Sequence, residues 1–265
     1  MTRDYAVTMG SYGTVQNQRN GQVGPYDIDV VAPDLCYQLF DFASDTPRIP
    51  EGHKRWGLVC ASRQSSKSFT TAAITYLATA FNPGSNGGII ADTKDRADTL
   101  FKYVNVVHYN LPEGIQPEAR GGAQSRQIAF TRDNKPSGKF TTYSAGADNL
   151  GIGQSWDNTV VSEVPFINGM AKMWYEMRPG ITNREEGLFF MESTPAPMSE
   201  PSAEFYRDMV VEIAGDHTNR FVLFFMPFFR SKLNERFWRK DWKLTADELT
   251  WLRRFGPREE QPVSC

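Results

Sequence analysis

Five apolar runs, each interrupted or followed by a polar residue or a proline, govern how this chain can fold. They are "RWGLVCA" from Arg55, "GIIAD" from Gly88, "NTVVSEV" from Asn158, "GLFFMEST" from Gly187 and "RFVLFFMPF" from Arg220. Between them the spacing of apolar residues becomes helical, in "SKSFTTAAITYLATAF", "TKDRADTLFKYVNVVHYNL", "GMAKMWYEM" and "AEFYRDMVVEIAG". Apolar strands alternating with helices make a mostly parallel sheet covered on both faces. Ligands of such sheets bind beyond the carboxyl ends of the strands, so chemistry is expected there.

The rest of the chain sets the boundaries. Residues 1–26 are rich in Gly, Gln, Asn and Ser without apolar periodicity and read as a flexible or partner-ordered arm. Residues 27–244 form the organised α/β domain. It opens with "DLCYQLFDFA", where Leu35, Leu39 and Phe42 fall at helical spacing. "RQIAFTRDNKPSGKFTTYSA" predicts two strands around a "DNKPSG" turn. Residues 245–265 begin with a terminal helix, with Thr245 as cap and Glu248 three positions on.

Composition excludes several classes. With 29 Lys+Arg against 31 Asp+Glu the formal net charge is -2, so any nucleic-acid contact must come from a local patch. Cys36, Cys60 and Cys265 form no CxxC pair, and His53, His108 and His217 form no ligand cluster, which argues against a disulfide framework and a zinc site. No run is long and apolar enough to span a membrane, and the N-terminus has no signal-like apolar core, so a soluble intracellular protein is expected.

The first strand-to-helix bend, "ASRQSSKS", matches the phosphate-loop pattern G-x-x-x-x-G-K-[ST] at Lys67 and Ser68 but has Ala61 and Ser66 at the glycine positions. Small residues serve there if the loop needs little bulk and no positive φ. Ser62, Arg63, Gln64, Ser65, Ser66, Lys67 and Ser68 are thus candidate phosphate-binding residues, with Ser68 also a magnesium ligand. Hydrolysis further needs a carboxylate beside the metal and the attacking water. "NTVVSEV" offers Glu163, on a strand expected to lie beside the phosphate-loop strand. Ser162 stands where an aspartate is usual, able to hold a metal-bound water but carrying no charge. Read alone, the same run is better taken as a strand that simply ends in a solvated glutamate. "FFMESTPAP" ends in Ser193 and Thr194, hydroxyls placed to sense a γ-phosphate, or else a plain strand terminator. Gln38, beside Tyr37, is a candidate adenine contact.

Taken in order, "YQ", "SRQSSKS", "VVSEV" and "ESTP" resemble the ATPase domain of the large terminase subunit of tailed bacteriophages, over roughly residues 33–229. The resemblance implies an additional-strand P-loop NTPase fold of the RecA-like kind, binding ATP and Mg2+. It assigns Lys67 and Ser68 to phosphate and magnesium, Glu163 to water activation, Ser193 and Thr194 to coupling and Gln38 to adenine. Arg63 would lie near the γ-phosphate or bond to the catalytic carboxylate. It also implies a motor on double-stranded DNA, with portal protein and small terminase subunit as partners. The motor would be a homo-oligomeric ring when assembled, possible as a monomer in isolation, in the cytoplasm of an infected bacterium.

The chain departs from the family pattern in three ways. "NLGIGQSWD" precedes the second carboxylate strand without the expected arginine, leaving Arg120, Arg126, Arg178 and Arg184 as candidates for a finger. Ser66 and Ser162 replace a glycine and an acid. The chain ends at Cys265, where the family's nuclease domain would begin, so no nuclease activity is expected of it. For DNA, Arg120, Arg126, Arg132, Lys135 and Lys139 make a basic hairpin able to track a backbone, or a solvated turn. Lys94, Arg96 and Lys102 read as a solvated helix face, and Trp238 and Trp242 as packing. Two other functions fit the same residues: a helicase or other nucleic-acid translocase, and a non-hydrolysing nucleotide-binding assembly module.

Overall fold

The computed structural model describes residues 14–16, 23–25, 38–39, 42–43, 55–62, 65–120, 126–145, 155–181, 187–216 and 219–226. A short antiparallel pair, β1 (Thr14–Gln16) and β2 (Val23–Pro25), precedes the main domain. The domain then runs β3 (Trp56–Ala61), α1 (Lys67–Ala80), β4 (Ser85–Ala91), α2 (Lys94–Asn110), β5 (Ala119–Arg120), β6 (Gln127–Arg132) and β7 (Lys135–Ser144). It continues with β8 (Asn158–Ser162), α3 (Met170–Met177), β9 (Leu188–Ser193), α4 (Ala203–Gly215) and β10 (Phe221–Met226). Every apolar run named above is a strand and every helical segment between them a helix. The terminal helix expected after residue 244 lies outside the described residues.

The eight strands are ordered β10-β3-β9-β8-β4-β7-β6-β5. Pairs from β10 through β7 are parallel, and β6 and β5 add an antiparallel edge. One expectation needs correcting: β8 does not neighbour β3, because β9 lies between them. The side chains explain this. Phe189 and Phe190 of β9 are fully buried on opposite faces, and Phe190 is in register with Gly57 of β3. A Cβ on Gly57 would lie 2.7 Å from the Phe190 ring, so β3 presents its smallest residue where β9 presents one of its largest.

Residues of each strand alternate between two cores, as a pleated sheet buried on both sides requires. Val59, Ala61, Ile89, Val160 and Phe190 face α1, α2 and the helical residues Leu39, Phe42 and Ala43. Leu58, Cys60, Ile90, Val161, Phe189 and Met191 face α3 and α4. Helix α1 is buried almost throughout, threonines included. Its hydroxyls bond back to the helix: Thr71 to the Lys67 carbonyl at 2.9 Å, Thr75 to Thr71 at 2.7 Å and Thr79 to Thr75 at 2.8 Å.

The segment "NPGSNGG" is dense in helix-breaking residues, yet β4 begins within it at Ser85 and contains Gly87 and Gly88. A Cβ on Gly87 would collide with Thr79 Oγ1 at 2.0 Å, so this glycine lets α1 lie flush against β4. In the β6–β7 hairpin only Asp133 and Asn134 form the turn, both at positive φ (51° and 61°), as two-residue hairpin turns require. Lys135 to Gly138, expected in the turn, belong to β7.

Candidate nucleotide site

The carboxyl ends of β3, β9, β8 and β4 lie side by side. Cys60 is in register with Ser193, Glu192 with Ser162, and Ser162 with Ala91. This brings the residues after β3, the "ESTP" run, the Ser-Glu pair and the start of α2 to one edge.

Lys67 opens α1 with its side chain pointing back to this edge, and it is only 6% exposed. Its Nζ lies 3.2 Å from Glu163 Oε1 and 3.1 Å from Glu192 Oε2. Ser193 Oγ donates to Glu163 Oε2 at 2.8 Å, and Ser162 Oγ donates to Glu192 Oε1 at 2.5 Å. Two carboxylates, two hydroxyls and one ammonium thus form a closed network across two strand ends and a helix N-terminus. Burial alone would lower the Lys67 pKa, but the charges of Glu192 and Glu163 outweigh it and leave the pKa raised. For Glu163, burial pushes upward, yet Lys67, the Ser193 hydrogen bond and a weaker pull from Arg96 hold its carboxyl below the usual value.

Two residues here adopt left-handed backbone. Glu163 (φ 58°, ψ 49°) follows the last residue of β8, and its N–H bonds to the Glu192 carbonyl at 2.7 Å as the chain turns away. Ser66 (φ 56°, ψ 14°) is the N-cap of α1. This corrects the expectation that the loop needs no positive φ. Position 66 has the backbone that makes glycine usual there, and serine holds it at a cost of about 1–2 kcal/mol. The Ser66 side chain does not cap α1, and no acidic residue occupies the first turn. The positive end of a buried helix thus has neither a side-chain cap nor an acid of its own in the first turn, which suits an anion bound there.

The other expected residues are placed as follows. Ser65 is buried and its Oγ has no hydrogen-bond partner. Ser62 is half-buried, and Ser68 sits in the first turn of α1. Thr194 is buried directly after β9. Gln38 is exposed on a helical segment whose Leu39 enters the core. Arg63, Gln64 and Arg184 lie outside the described residues. Of the other finger candidates, Arg126 is engaged by Asp98 of α2, with hydrogen bonding at 2.8 Å, while Arg120 and Arg178 are exposed.

Sequence reading missed two residues. Glu192, fully buried, shares Lys67 with Glu163. Its signal was available: like Glu163, it is a carboxylate at the end of an apolar run. Arg96 was read as part of a solvated face. It is exposed and paired with Asp92 at 2.9 Å, yet near enough to Glu163 to lower its pKa. The signal there was its place in the first turn after a central strand.

Among the described residues no group of three or more His, Cys, Asp or Glu is placed to cage a metal, and no helix is long and apolar enough to cross a membrane. A magnesium ion at this edge would draw its ligands from phosphate oxygens and retained waters more than from protein side chains, as is usual for that ion. The residues present fit such a group, since Ser65 Oγ is buried without a hydrogen-bond partner and the buried Glu192 Oε2 has the Lys67 ammonium against it, a cation that a metal ion can replace.

Comparison with solved structures gives the fold independently. The chain is similar to the large terminase ATPase domain of Thermus phage P74-26 at 18% identity and a TM-score of 0.57, covering 79% of this chain and 89% of that one. It is similar to the large terminase of bacteriophage HK97 at 13% identity and a TM-score of 0.59, covering 84% of this chain and 44% of the HK97 chain. It is also similar to the large terminase of a thermophilic bacteriophage in complex with ATP-gamma-S, at 12% identity and a TM-score of 0.51, covering 86% of this chain and 49% of that one. The chain thus spans about half the length of these last two proteins. No protein-family model and no curated protein matches the sequence. The fold is that of the large terminase ATPase domains, as the resemblance implied.

Proposed function

We propose that this chain, folded as terminase ATPase domains are, is the ATP-hydrolysing motor domain of a viral large terminase that drives double-stranded DNA into a procapsid. The observation that carries the reading is Lys67 held between Glu163 and Glu192 at the carboxyl ends of the central strands. One of these carboxylates follows the strand where a water-activating residue belongs. By the same reading the motor is a homo-oligomeric ring in the cytoplasm of the infected host. Portal protein and small subunit are its partners, and an arginine from the chain itself or from the next subunit completes the site.

Lys67 is the switch in this mechanism. Without nucleotide it is paired with both carboxylates. A triphosphate at the N-terminus of α1 offers a denser negative charge, and Lys67 turns to it. Glu163 then loses the cation that most lowers its pKa and becomes a better proton acceptor. Ser193 keeps the carboxylate oriented while Glu163 positions water for in-line attack on the γ-phosphate. Ser68 and the Ser162 edge would hold magnesium, which when bound neutralises charge developing on the phosphates. Ser62, Arg63, Gln64 and Ser65 contribute to phosphate binding, Thr194 passes on loss of the γ-phosphate, and Gln38 contacts adenine.

The test is a titration with magnesium and a non-hydrolysable ATP analogue, comparing wild type with Lys67→Ala and Lys67→Arg. Lys67→Ala leaves two carboxylates facing each other without their cation, a loss of about 3–5 kcal/mol in buried pairs. Lys67→Arg keeps the charge but not the compact head that fits against phosphate. Binding by wild type and its loss in both variants supports the reading. Equal binding by all three overturns it.

A further inference from the structure

The strand that carries Glu163 lacks the acid usual at position 162, and the adjoining strand supplies a carboxylate beside that position. Ser162 and Glu192 are register partners at the ends of β8 and β9, joined by the Ser162 hydroxyl. Glu192 is 0% exposed, a burial that a carboxylate tolerates only when paired or ligating. Its Oε1 takes the serine proton. Its Oε2 lies 3.1 Å from the Lys67 ammonium, the cation that now balances it.

Charge bookkeeping sharpens the point. Lys67 needs one counter-charge and has two, so the cluster of Lys67, Glu163 and Glu192 carries an excess negative charge. Once Lys67 turns to phosphate the excess grows, and two carboxylates remain beside one another at a buried edge. A divalent cation with its waters balances that arrangement. Ser65 Oγ, also buried and without a partner, is a further polar group awaiting a ligand in the loop.

We propose that Glu192 is the carboxylate that orients magnesium and its waters in the nucleotide site. On this reading the acid has moved from β8 to the facing position on β9, and Ser162 fixes its rotamer. The inference rests on the nucleotide-binding reading above and adds a role for a residue which that reading leaves as a counter-ion.

Manganese reports the metal without requiring turnover. With the whole chain, binding of the ATP analogue is measured first in EDTA, then the Mn2+ affinity of the analogue complex by electron paramagnetic resonance. Glu192→Gln, nearly isosteric, is expected to bind the metal-free analogue at least as tightly as wild type, because a negative charge has gone. Its Mn2+ affinity should fall about 10–100-fold, the range found when a group orienting a metal's ligands is removed. Moving the acid back, in Ser162→Asp/Glu192→Ser, should recover most of that loss. Unchanged Mn2+ affinity in Glu192→Gln would overturn the proposal and leave Glu192 as a counter-ion to Lys67. Failure of wild type to bind the analogue, with or without metal, would instead overturn the nucleotide reading and this inference with it.

Discussion

Ser193 donates a hydrogen bond to Glu163 across two adjacent strand ends, at 2.8 Å. The bond ties the residue proposed to position water to the strand that runs beside the phosphate-loop strand. Ser193→Ala removes the donor and leaves Lys67 in place. A hydrogen bond to a charged group is worth about 1.5–3 kcal/mol, so the hydrolytic step should slow about 10–100-fold while analogue affinity changes little. Single-turnover hydrolysis beside calorimetric binding separates the two. Equal losses in both would place Ser193 in nucleotide binding rather than in orienting Glu163.

The basic hairpin gives a separate prediction. Arg132 and Lys135 are register partners flanking the two-residue turn, both exposed, so like charges face each other at its tip. Such a pair is unfavourable in the free protein and relieved by an intervening phosphate. Arg132→Glu/Lys135→Glu should weaken binding to duplex DNA of any sequence. Each lost phosphate contact lowers the log–log salt slope by about 0.9, so the slope should fall by about 2. Fluorescence anisotropy at several salt concentrations measures both, and unchanged binding returns the hairpin to a solvated turn.

The elements were legible because each strand is an apolar run and each helix has its own period, as "NTVVSEV" and "AEFYRDMVVEIAG" illustrate. Strand order was not, because a parallel crossover leaves no local mark. That β9 separates β3 from β8 depends on Phe190 meeting Gly57, a pairing between residues far apart in the chain. In the site, Lys67 and Glu163 could be read from their motifs, and the structure brings them to 3.2 Å. Glu192 carries the same mark, a carboxylate closing an apolar run, but the hydroxyls of its motif drew the functional reading, and its meaning lies in facing Ser162 across the sheet.

Ser66 tests whether the missing glycine matters. Its φ of 56° suits glycine, and relieving a left-handed residue is worth about 1–2 kcal/mol. Glycine costs about 0.5–1 kcal/mol of that through its freedom in the unfolded chain. Ser66→Gly should therefore change stability by less than about 1.5 kcal/mol in the favourable direction and preserve analogue binding. Ser66→Val places a β-branched side chain at positive φ, and should destabilise the fold and weaken binding together. Urea unfolding of the two variants decides it, and identical midpoints would mean that the loop does not hold this backbone in solution.

Stability against pH should show two separate acid losses, because two buried groups titrate in different ranges. His108, bonded to the Tyr76 hydroxyl at 2.6 Å, has its pKa lowered by burial from 6.5. A lowered histidine is neutral when folded and takes up a proton more readily when unfolded. Its contribution is therefore complete above pH 6.5 and is lost as pH falls through the lower folded value. Glu163, lowered from 4.5, contributes fully above that pH and loses its contribution as pH falls through its own folded value. Lys67, raised from 10.5, behaves oppositely: its contribution is full below 10.5 and is lost as pH rises through its folded value. Urea melts of the nucleotide-free protein should thus give a plateau from about pH 7 to 10, a first decline below about pH 6.5 and a second below about pH 4.5. His108→Gln should erase the first decline and Glu163→Gln should diminish the second. A first decline that persists without His108 would assign it to another group.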